Sequence, residues 1–357
     1  MVANAQTPAD CYPAIRMVMD AINDNHSFFM GAAEKATAGP TGTPLAFGIV
    51  PLWPNGVISE IFPDSAAERA GVKRWDVIEK INGEDLKPSP DGRRVLMDNT
   101  KPIRLSLRRN GQPIEIEFEA AEIEKAPLPY GCLLEDNIGY LELFVQGPPQ
   151  QQQEYADCAQ QAIREAGVRG AKAWIVDLRC NRGGNMWPMI AGAGPLMGEG
   201  EIGAFIHNNA NQPPIHWFYL NSAACYKKSE VEQPEAVTMS STPTLALDPA
   251  NVPVAVLTSG FTGSAGEMTL VAFRGRPNLR TFGEATEGLM TAVAMRELDD
   301  GAVLGIAESI PADRTGTVYN GKLDPDQEVR IDWLHYGPSA NDPVIQAAVA
   351  WLKDHIG

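Results

Sequence analysis

The chain has 357 residues, 44% hydrophobic and 21% charged, the balance of a globular protein able to bury a large core in two or three domains. Lys and Arg number 29 against 45 Asp and Glu, and the net charge of −16 disfavours nucleic acid or an anionic membrane surface as a partner. No apolar run approaches the ~18 residues needed to span a bilayer, so no membrane span is expected.

In chain order, Ala3-Asn4-Ala5 carries the small-x-small pattern found before a signal-cleavage site. It leads us to expect an extracytoplasmic protein, periplasmic or secreted, with cytoplasmic residence as the alternative. Residues 8–36 read as a helical segment, with Ile15, Val18, Met19 and Ile22 at i, i+3, i+4 and i+7, running out at Asp24 to Phe29. His26 stands at that polar end, where a lone histidine is most simply bonded to solvent or a carbonyl. Residues 37–44, rich in Gly, Pro and Thr, read as a linker.

Short strands follow up to about Ile123. Phe47 to Val50, Gly56 to Ile61 and Asp76 to Ile81 read as strands, with Ser65 to Gly71 between the last two as a short helix ending on a C-cap glycine. Asn82-Gly83 and Asn110-Gly111 are hairpin signals, the latter joining the period-two runs Ile103–Arg108 and Ile114–Phe118. The run Pro63-Asp64-Ser65-Ala66-Ala67-Glu68-Arg69-Ala70-Gly71-Val72, with Asp76-Val77-Ile78 and Ile81-Asn82-Gly83, resembles the core of a PDZ domain. Trp75 stands where such domains usually have glycine. The resemblance implies a groove that takes an extended peptide by strand addition.

The remainder alternates strands and helices, the signature of an α/β core. Ile138–Leu143 and Trp174–Leu178 read as strands, and the Gln-rich stretch 146–154 leads into a helix ending near Glu165. The strand at Trp174 breaks into Arg179-Cys180-Asn181-Arg182-Gly183-Gly184-Asn185 before a helix from Met186. Residues 207–250, rich in Pro, Ser and Asn, read as a long excursion over the active face. Val252–Leu257 is an apolar strand feeding the small-residue turn Gly263-Ser264-Ala265-Gly266 and a helix from Glu267. Such a turn presents a serine hydroxyl at a helix N-terminus, whose N–H groups and dipole suit a developing oxyanion. Taken alone, Ser264 and Glu267 are equally the two ends of a capping box. Leu279–Gly283 and Ala302–Ala307 read as strands, and Pro343–His355 as a closing helix.

Competing motifs fail on context. Gly198-Glu199-Gly200-Glu201-Ile202-Gly203 follows a helix, and its glutamates would repel a pyrophosphate. Cys11, Cys132, Cys158, Cys180 and Cys225 form no C-x-x-C pair, and His207 and His216 lack metal-ligand spacing. No cofactor or metal is implied. Cys180 reads as a small apolar residue rather than a nucleophile.

Four motifs then stand in order: Asp177-Leu178-Arg179-Cys180-Asn181-Arg182-Gly183-Gly184, Ser264-Ala265-Gly266-Glu267, Gly283-Glu284-Ala285-Thr286-Glu287-Gly288 and Leu323-Asp324-Pro325-Asp326. With the PDZ-like block, the chain resembles the C-terminal (tail-specific) processing proteases and the tricorn core protease. The resemblance implies an α/β multidomain protein: an N-terminal helical segment over 1–44, a PDZ-like β-rich domain over 45–123, and a peptidase core with a mixed, ClpP/crotonase-like sheet over 124–357. It implies a serine endopeptidase acting on peptides or unfolded protein segments.

Tail-specific proteases place a lysine base where Leu289 stands here, and no lysine lies between Ser264 and Lys322. The tricorn-type Ser/His branch takes a histidine ahead of the PDZ domain, where His26-Ser27 occurs. The expected assignment is therefore Ser264 as nucleophile and His26 as general base. Ser27 is a further participant, with Ala265 and Gly183 or Gly184 as backbone donors to the oxyanion. Glu267 or Asp313 is expected to orient the imidazole, because Tyr319-Asn320 occupies the position of the tricorn-type acid. The alternatives are an inactive peptide- or ligand-binding protein on a peptidase fold, and an esterase or amidase using the same site.

Overall fold

Four apolar strands set the frame, and the register between them decides what they carry. The protein is described by a computed structural model covering residues 5–22, 24, 26–37, 47–52, 56–85, 101–121, 123, 125–145, 149–209, 211–229 and 231–356. In chain order the strands are β1 (Phe28–Met30), β2 (Ile49–Leu52), β3 (Val57–Ile61), β4 (Val77–Ile81), β5 (Glu84–Asp85), β6 (Ile103–Arg109), β7 (Gln112–Phe118), β8 (Tyr130–Leu133), β9 (Ile138–Glu142) and β10 (Ala173–Asp177). They continue as β11 (Gly200–His207), β12 (Ile215–Leu220), β13 (Ala223–Lys227), β14 (Glu235–Met239), β15 (Val254–Thr258), β16 (Leu279–Gly283), β17 (Ala292–Glu297), β18 (Val303–Asp313) and β19 (Gln327–Glu328). The helices are α1 (Tyr12–Ile22), α2 (Ala32–Thr37), α3 (Ala66–Arg69), α4 (Gln152–Val168), α5 (Met186–Met197), α6 (Ala265–Phe273) and α7 (Pro343–Lys353).

The central sheet runs β19-β16-β15-β10-β9-β8, parallel except for β8. Its middle strands are buried on both faces, and successive side chains go to opposite layers. Leu141, Trp174, Val176, Val254 and Val256 pack with α4, α5 and α6, whereas Tyr140, Ile175, Ala255, Leu257 and Phe282 pack with α7. Beyond α5 lies an antiparallel sheet ordered β1-β18-β11-β12-β13-β14, with β17 also on β18. Its Phe205, Trp217 and Tyr219 enter the same core as α5 and α6.

The third sheet, β2-β3-β4-β6-β7 with β5 on β4, encloses its own apolar cluster with α3. The turn dipeptides behave as read: Asn82 and Asn110 take φ of 52° and 48°, and Gly83 and Gly111 of 84° and 78°. This sheet sits on the central one through Arg74, whose guanidinium meets the Glu142 carboxylate at 2.8 Å, and through Trp75, whose ring lies 4.6 Å from that of Tyr336. Trp75 holds a φ of 73°, a left-handed conformation that is costly for a bulky residue.

Two regions differ from the sequence reading. The helix expected over 8–36 is a 3-10 turn (Pro8–Cys11), then α1, then strand β1, then α2. Aromatic Phe28 and Phe29 gain more as a strand on the edge of β18, where Gly305 leaves room for the Phe28 ring. The apolar stripe of α1 is not a core face: Val18 is 59% and Ile22 44% exposed. The excursion over 207–250 instead supplies β12, β13 and β14, its polar residues collecting in the turns. Residues 1–4 and 38–46, which include Ala3-Asn4 and most of the expected linker, lie outside the described residues. Among the described residues no helix is long and apolar enough to cross a membrane.

One buried ionic cluster locks β10 to α7. Arg179, fully buried, pairs with Asp177 at 2.6 Å and Asp342 at 2.8 Å, and lies 4.2 Å over the Tyr336 ring. Asp342 also caps α7 through the Val344 and Ile345 N–H groups. Replacing Arg179 by Met would leave two carboxylates buried without their cation, and we expect a loss of about 3–5 kcal/mol in urea denaturation. A variant as stable as the parent would show that the cluster is dispensable.

Candidate active site

Parallel strands in register release their following loops at one end of a sheet, where ligands of open α/β folds sit. Asp177 pairs with Leu257 and with Glu142, and Thr258 pairs with Gly283. The glycine loop after β10, the serine turn after β15 and the Gly283–Gly288 segment after β16 therefore emerge side by side.

The serine turn is held from both flanks. Ser259 Oγ donates to the Arg179 carbonyl and Thr262 Oγ1 to the Leu178 carbonyl, tying the turn to the root of the glycine loop. The Gly263 N–H donates to the Asn181 carbonyl at 3.0 Å. Ser264 is the N-cap of α6 at φ 51°, ψ −118°, a conformation that non-glycine residues rarely adopt and that persists only under surrounding constraint. A Cβ at Gly183 would stand 2.9 Å from Ser264 Cβ and 3.3 Å from Ala265 N, and one at Gly266 2.5 Å from the Asn181 carbonyl oxygen. The spacing of loop and turn thus depends on the bare glycine backbone.

Within the loop, Asn181 Oδ1 accepts the Gly183 N–H at 3.0 Å. That bond occupies one of the two glycine donors. The N–H groups of Gly184 and Ala265 take no hydrogen-bond partner among the described residues. Asn181 Nδ2 is anchored on the Phe144 carbonyl.

Glu267 is fully buried at the third position of α6. It accepts the Ser264 N–H (3.0 Å), the Thr286 hydroxyl (2.6 Å) and the Gly288 N–H (2.9 Å). Burial raises its pKa, and these three donors oppose that rise. It fastens the third loop to the serine turn.

His26 arrives from the opposite end of the chain. Its segment is fixed by the pairing of β1 with β18 and by Asp24, which accepts the His26 and Ser27 N–H groups and the Ser27 hydroxyl. Ser27 Oγ in turn accepts the Ala307 N–H at 2.9 Å. The ring Nδ1 lies 2.6 Å from Thr291 Oγ1, three residues after Gly288, so the imidazole is attached to the same loop that Glu267 fastens to Ser264. Burial lowers the His26 pKa below the ordinary 6.5, against the opposing field of Asp24 and the bond at Thr291.

Among the expected residues, Ser264, Ala265 and Gly183 occupy one seam, with Gly184 next along the glycine loop. Among the described residues, no hydrogen bond joins His26 to Ser264. Ser27 braces its loop rather than the imidazole. Glu267 and Asp313 are both committed elsewhere: Glu267 as above, and Asp313 to Thr315, Thr317 and Tyr319. Neither hydrogen-bonds His26; both are spent closing turns. The ring partner is Thr291, which carries no local sequence signal because 265 residues separate it from His26. Asp24 was legible, since an aspartate accepting N–H groups two and three residues on is a common local motif. The Lys322 stem passes Gly288, its Cγ lying 2.9 Å from where a Cβ would be.

Residues 137–329, more than half of the chain, match Peptidase family S41. The nisin-resistance protein of Lactococcus lactis subsp. lactis is 28% identical over 198 residues, which span 53% of this chain and 57% of that protein. The carboxy-terminal processing protease CtpA of Bacillus subtilis (strain 168) is 27% identical over 312 residues, 84% of this chain and 60% of that protein. The chain thus aligns with less than two thirds of the length of either relative. Among solved structures, a putative S41 protease from Bacteroides fragilis NCTC 9343 shares the fold at a TM-score of 0.62, with 19% identity, over 94% of this chain and 87% of that one. The photosystem II D1 C-terminal processing protease does so at 0.55, with 18% identity, over 99% and 89%. Matched across most of its α/β core, glycine loop and serine turn included, the chain belongs to peptidase family S41.

Proposed function

We propose that this chain is a serine endopeptidase that cleaves extended polypeptide by acyl transfer, with Ser264 as nucleophile and His26 as general base. The observation that carries the reading is the contact of the bare Gly183 backbone with the strained Ser264–Ala265 turn. A Cβ at that position would stand 3.3 Å from the Ala265 nitrogen, so the bare glycine keeps this donor unscreened. The Ala265 and Gly184 N–H groups are the donors to the substrate carbonyl oxygen; the Gly183 N–H is spent on Asn181.

With Nδ1–H donated to Thr291, the lone pair of His26 is on Nε2. Nε2 takes the Ser264 proton as Oγ bonds to the scissile carbonyl, and the carbonyl electrons move to the oxyanion. The proton then passes to the departing amine as the C–N bond breaks, and water repeats the sequence to release the acid. Thr291 fixes the orientation of the imidazole, the role expected of Glu267 or Asp313, and accepts the Nδ1–H in the tautomer that this mechanism uses. Burial keeps His26 neutral, and so able to act as a base, at lower pH than an exposed imidazole.

Residues 1–44 supply the base, and 124–357 form the catalytic core. The sheet over 45–123 is PDZ-like, with β2 at its edge to receive an extended peptide.

Ser264→Ala and His26→Ala are each expected to lower peptidase turnover by at least about 10⁴-fold without changing the melting curve. Retained activity in the serine variant would dismiss the site. A larger loss in Lys322→Ala than in His26→Ala would transfer the base to the lysine beside Gly288. Labelling of the parent by a serine-directed phosphonate separates an enzyme from an inactive binding protein, and hydrolysis of acyl esters but no peptide would mark an esterase.

Thr291→Val should lower kcat about tenfold, the worth of one oriented hydrogen bond of ~1.4 kcal/mol. The rate should rise with pH as His26 loses its proton, with a midpoint below the ordinary 6.5 because burial depresses that pKa. A midpoint above 6.5 would refute a buried imidazole as the base.

A further inference from the structure

The segment that leads from the serine turn to the histidine carries one carboxylate with no work assigned to it. Its backbone is pinned at successive residues. The Thr286 N–H donates to the Leu323 carbonyl (3.0 Å), the Glu287 N–H to the Thr262 carbonyl (2.9 Å) and the Gly288 N–H to Glu267 (2.9 Å). Thr291, farther along, holds His26 Nδ1. Glu287 thus belongs to a short fixed stretch with the nucleophile's turn at one end and the base at the other.

The Glu287 side chain folds onto Gly263, the residue before Ser264. A Cβ at Gly263 would collide with the Glu287 carboxylate and stand 3.4 Å from the Glu287 Cβ, so the glycine is what admits the carboxylate there. The Gly263 carbonyl oxygen lies 3.2 Å from where a Cβ on Gly183 would be, so Glu287 and the glycine loop border the same turn. Glu287 is exposed, and among the described residues its carboxylate takes no hydrogen bond and no ion pair. The stem of Lys322 passes the next residue, Gly288, yet the two side chains form no ion pair. The nearby Glu267 carboxyl has its pKa raised by burial first, and by the charge of Glu287 as well. Two carboxyl groups beside the serine, with no cation between them, make a local excess of negative charge that a bound cation relieves.

We propose that Glu287 is a specificity-determining residue: its carboxylate receives the ammonium or guanidinium of a lysine or arginine adjacent to the scissile bond of the substrate. The proposal rests on the peptidase reading above, because Ser264 defines where that bond lies. A bound polypeptide covers the carboxylate and expels water from it, which strengthens the pair beyond that of an open surface. The backbone bonds set the position before the substrate arrives, so only side-chain freedom remains to be lost on binding.

The test uses peptides of one sequence in which norleucine is replaced by Lys, Arg or Glu at each position flanking the scissile bond. For the parent, kcat/KM with Lys or Arg at one of these positions should exceed the norleucine value by about tenfold, between the worth of an open surface pair and a buried one. Added salt, to about 0.5 M, should shrink that preference. Glu287→Gln should abolish it, and Glu287→Lys should turn it toward the Glu peptide, the change falling chiefly on KM. No basic preference in the parent, or a loss shared equally by every peptide, overturns the proposal. So does a shifted acid limb of the pH profile in Glu287→Gln, which would mean that the carboxylate acts on His26.

The second readout needs no turnover. In a Ser264→Ala background the Lys peptide should bind about tenfold tighter than its norleucine counterpart, and Glu287→Gln should equalise them. Binding indifferent to residue 287 overturns the proposal. Discrimination by residue 287 in a chain that cleaves no peptide would instead sink the peptidase reading and keep the cation subsite.

Discussion

The register of the parallel pairs among β9, β10, β15 and β16 is the constraint on which the rest depends. Three loops distant in sequence leave the sheet at the same level because Asp177 sits opposite Leu257 and Thr258 opposite Gly283. A slip of one residue would turn Val176 and Val256 toward α7 and Ile175 and Leu257 toward α4–α6, exchanging the contents of both cores. Those cores are filled with fully buried aromatic and branched side chains, so the register is held by packing. The site inherits its precision from apolar burial that takes no part in chemistry.

Polar groups then convert that register into fixed loop positions. Arg179 is spent on Asp177 and Asp342, Asn181 on Gly183 and Phe144, and Glu267 on Ser264, Thr286 and Gly288. The conspicuous residues of the motifs are thus mostly scaffolding. Buried and bonded, they hold backbone N–H groups and one hydroxyl in place. Such networks tolerate the loss of a member poorly, because each partner is left in a medium that cannot solvate it.

Much of this was legible in the sequence. Buried strands announce themselves as apolar β-branched runs, and hairpins as Asn-Gly pairs. The glycine loop and serine turn follow strands and precede helices, so their placement at one end of the sheet could be read from local order. What stayed hidden was decided by tertiary partners. The Thr291 contact with His26 spans 265 positions, and β1 forms only because β18 offers an edge. The region 207–250 looked like loop because its turns are rich in Pro, Ser and Asn, while the alternation of Trp217 and Tyr219 on β12 marks a half-buried strand. Glu267 and Asp313 were reasonable acids by composition. Which turn each one closes depends on side-chain geometry that the sequence does not carry.

The histidine reaches its place on a three-residue strand, next to a helix with no buried side chain. The core that holds the serine does not need that strand to complete its own layers. The segment bearing His26 is thus attached to the core chiefly through the pairing of β1 with β18, and local opening there would move the proposed base away from Ser264 while the α/β layers stay packed.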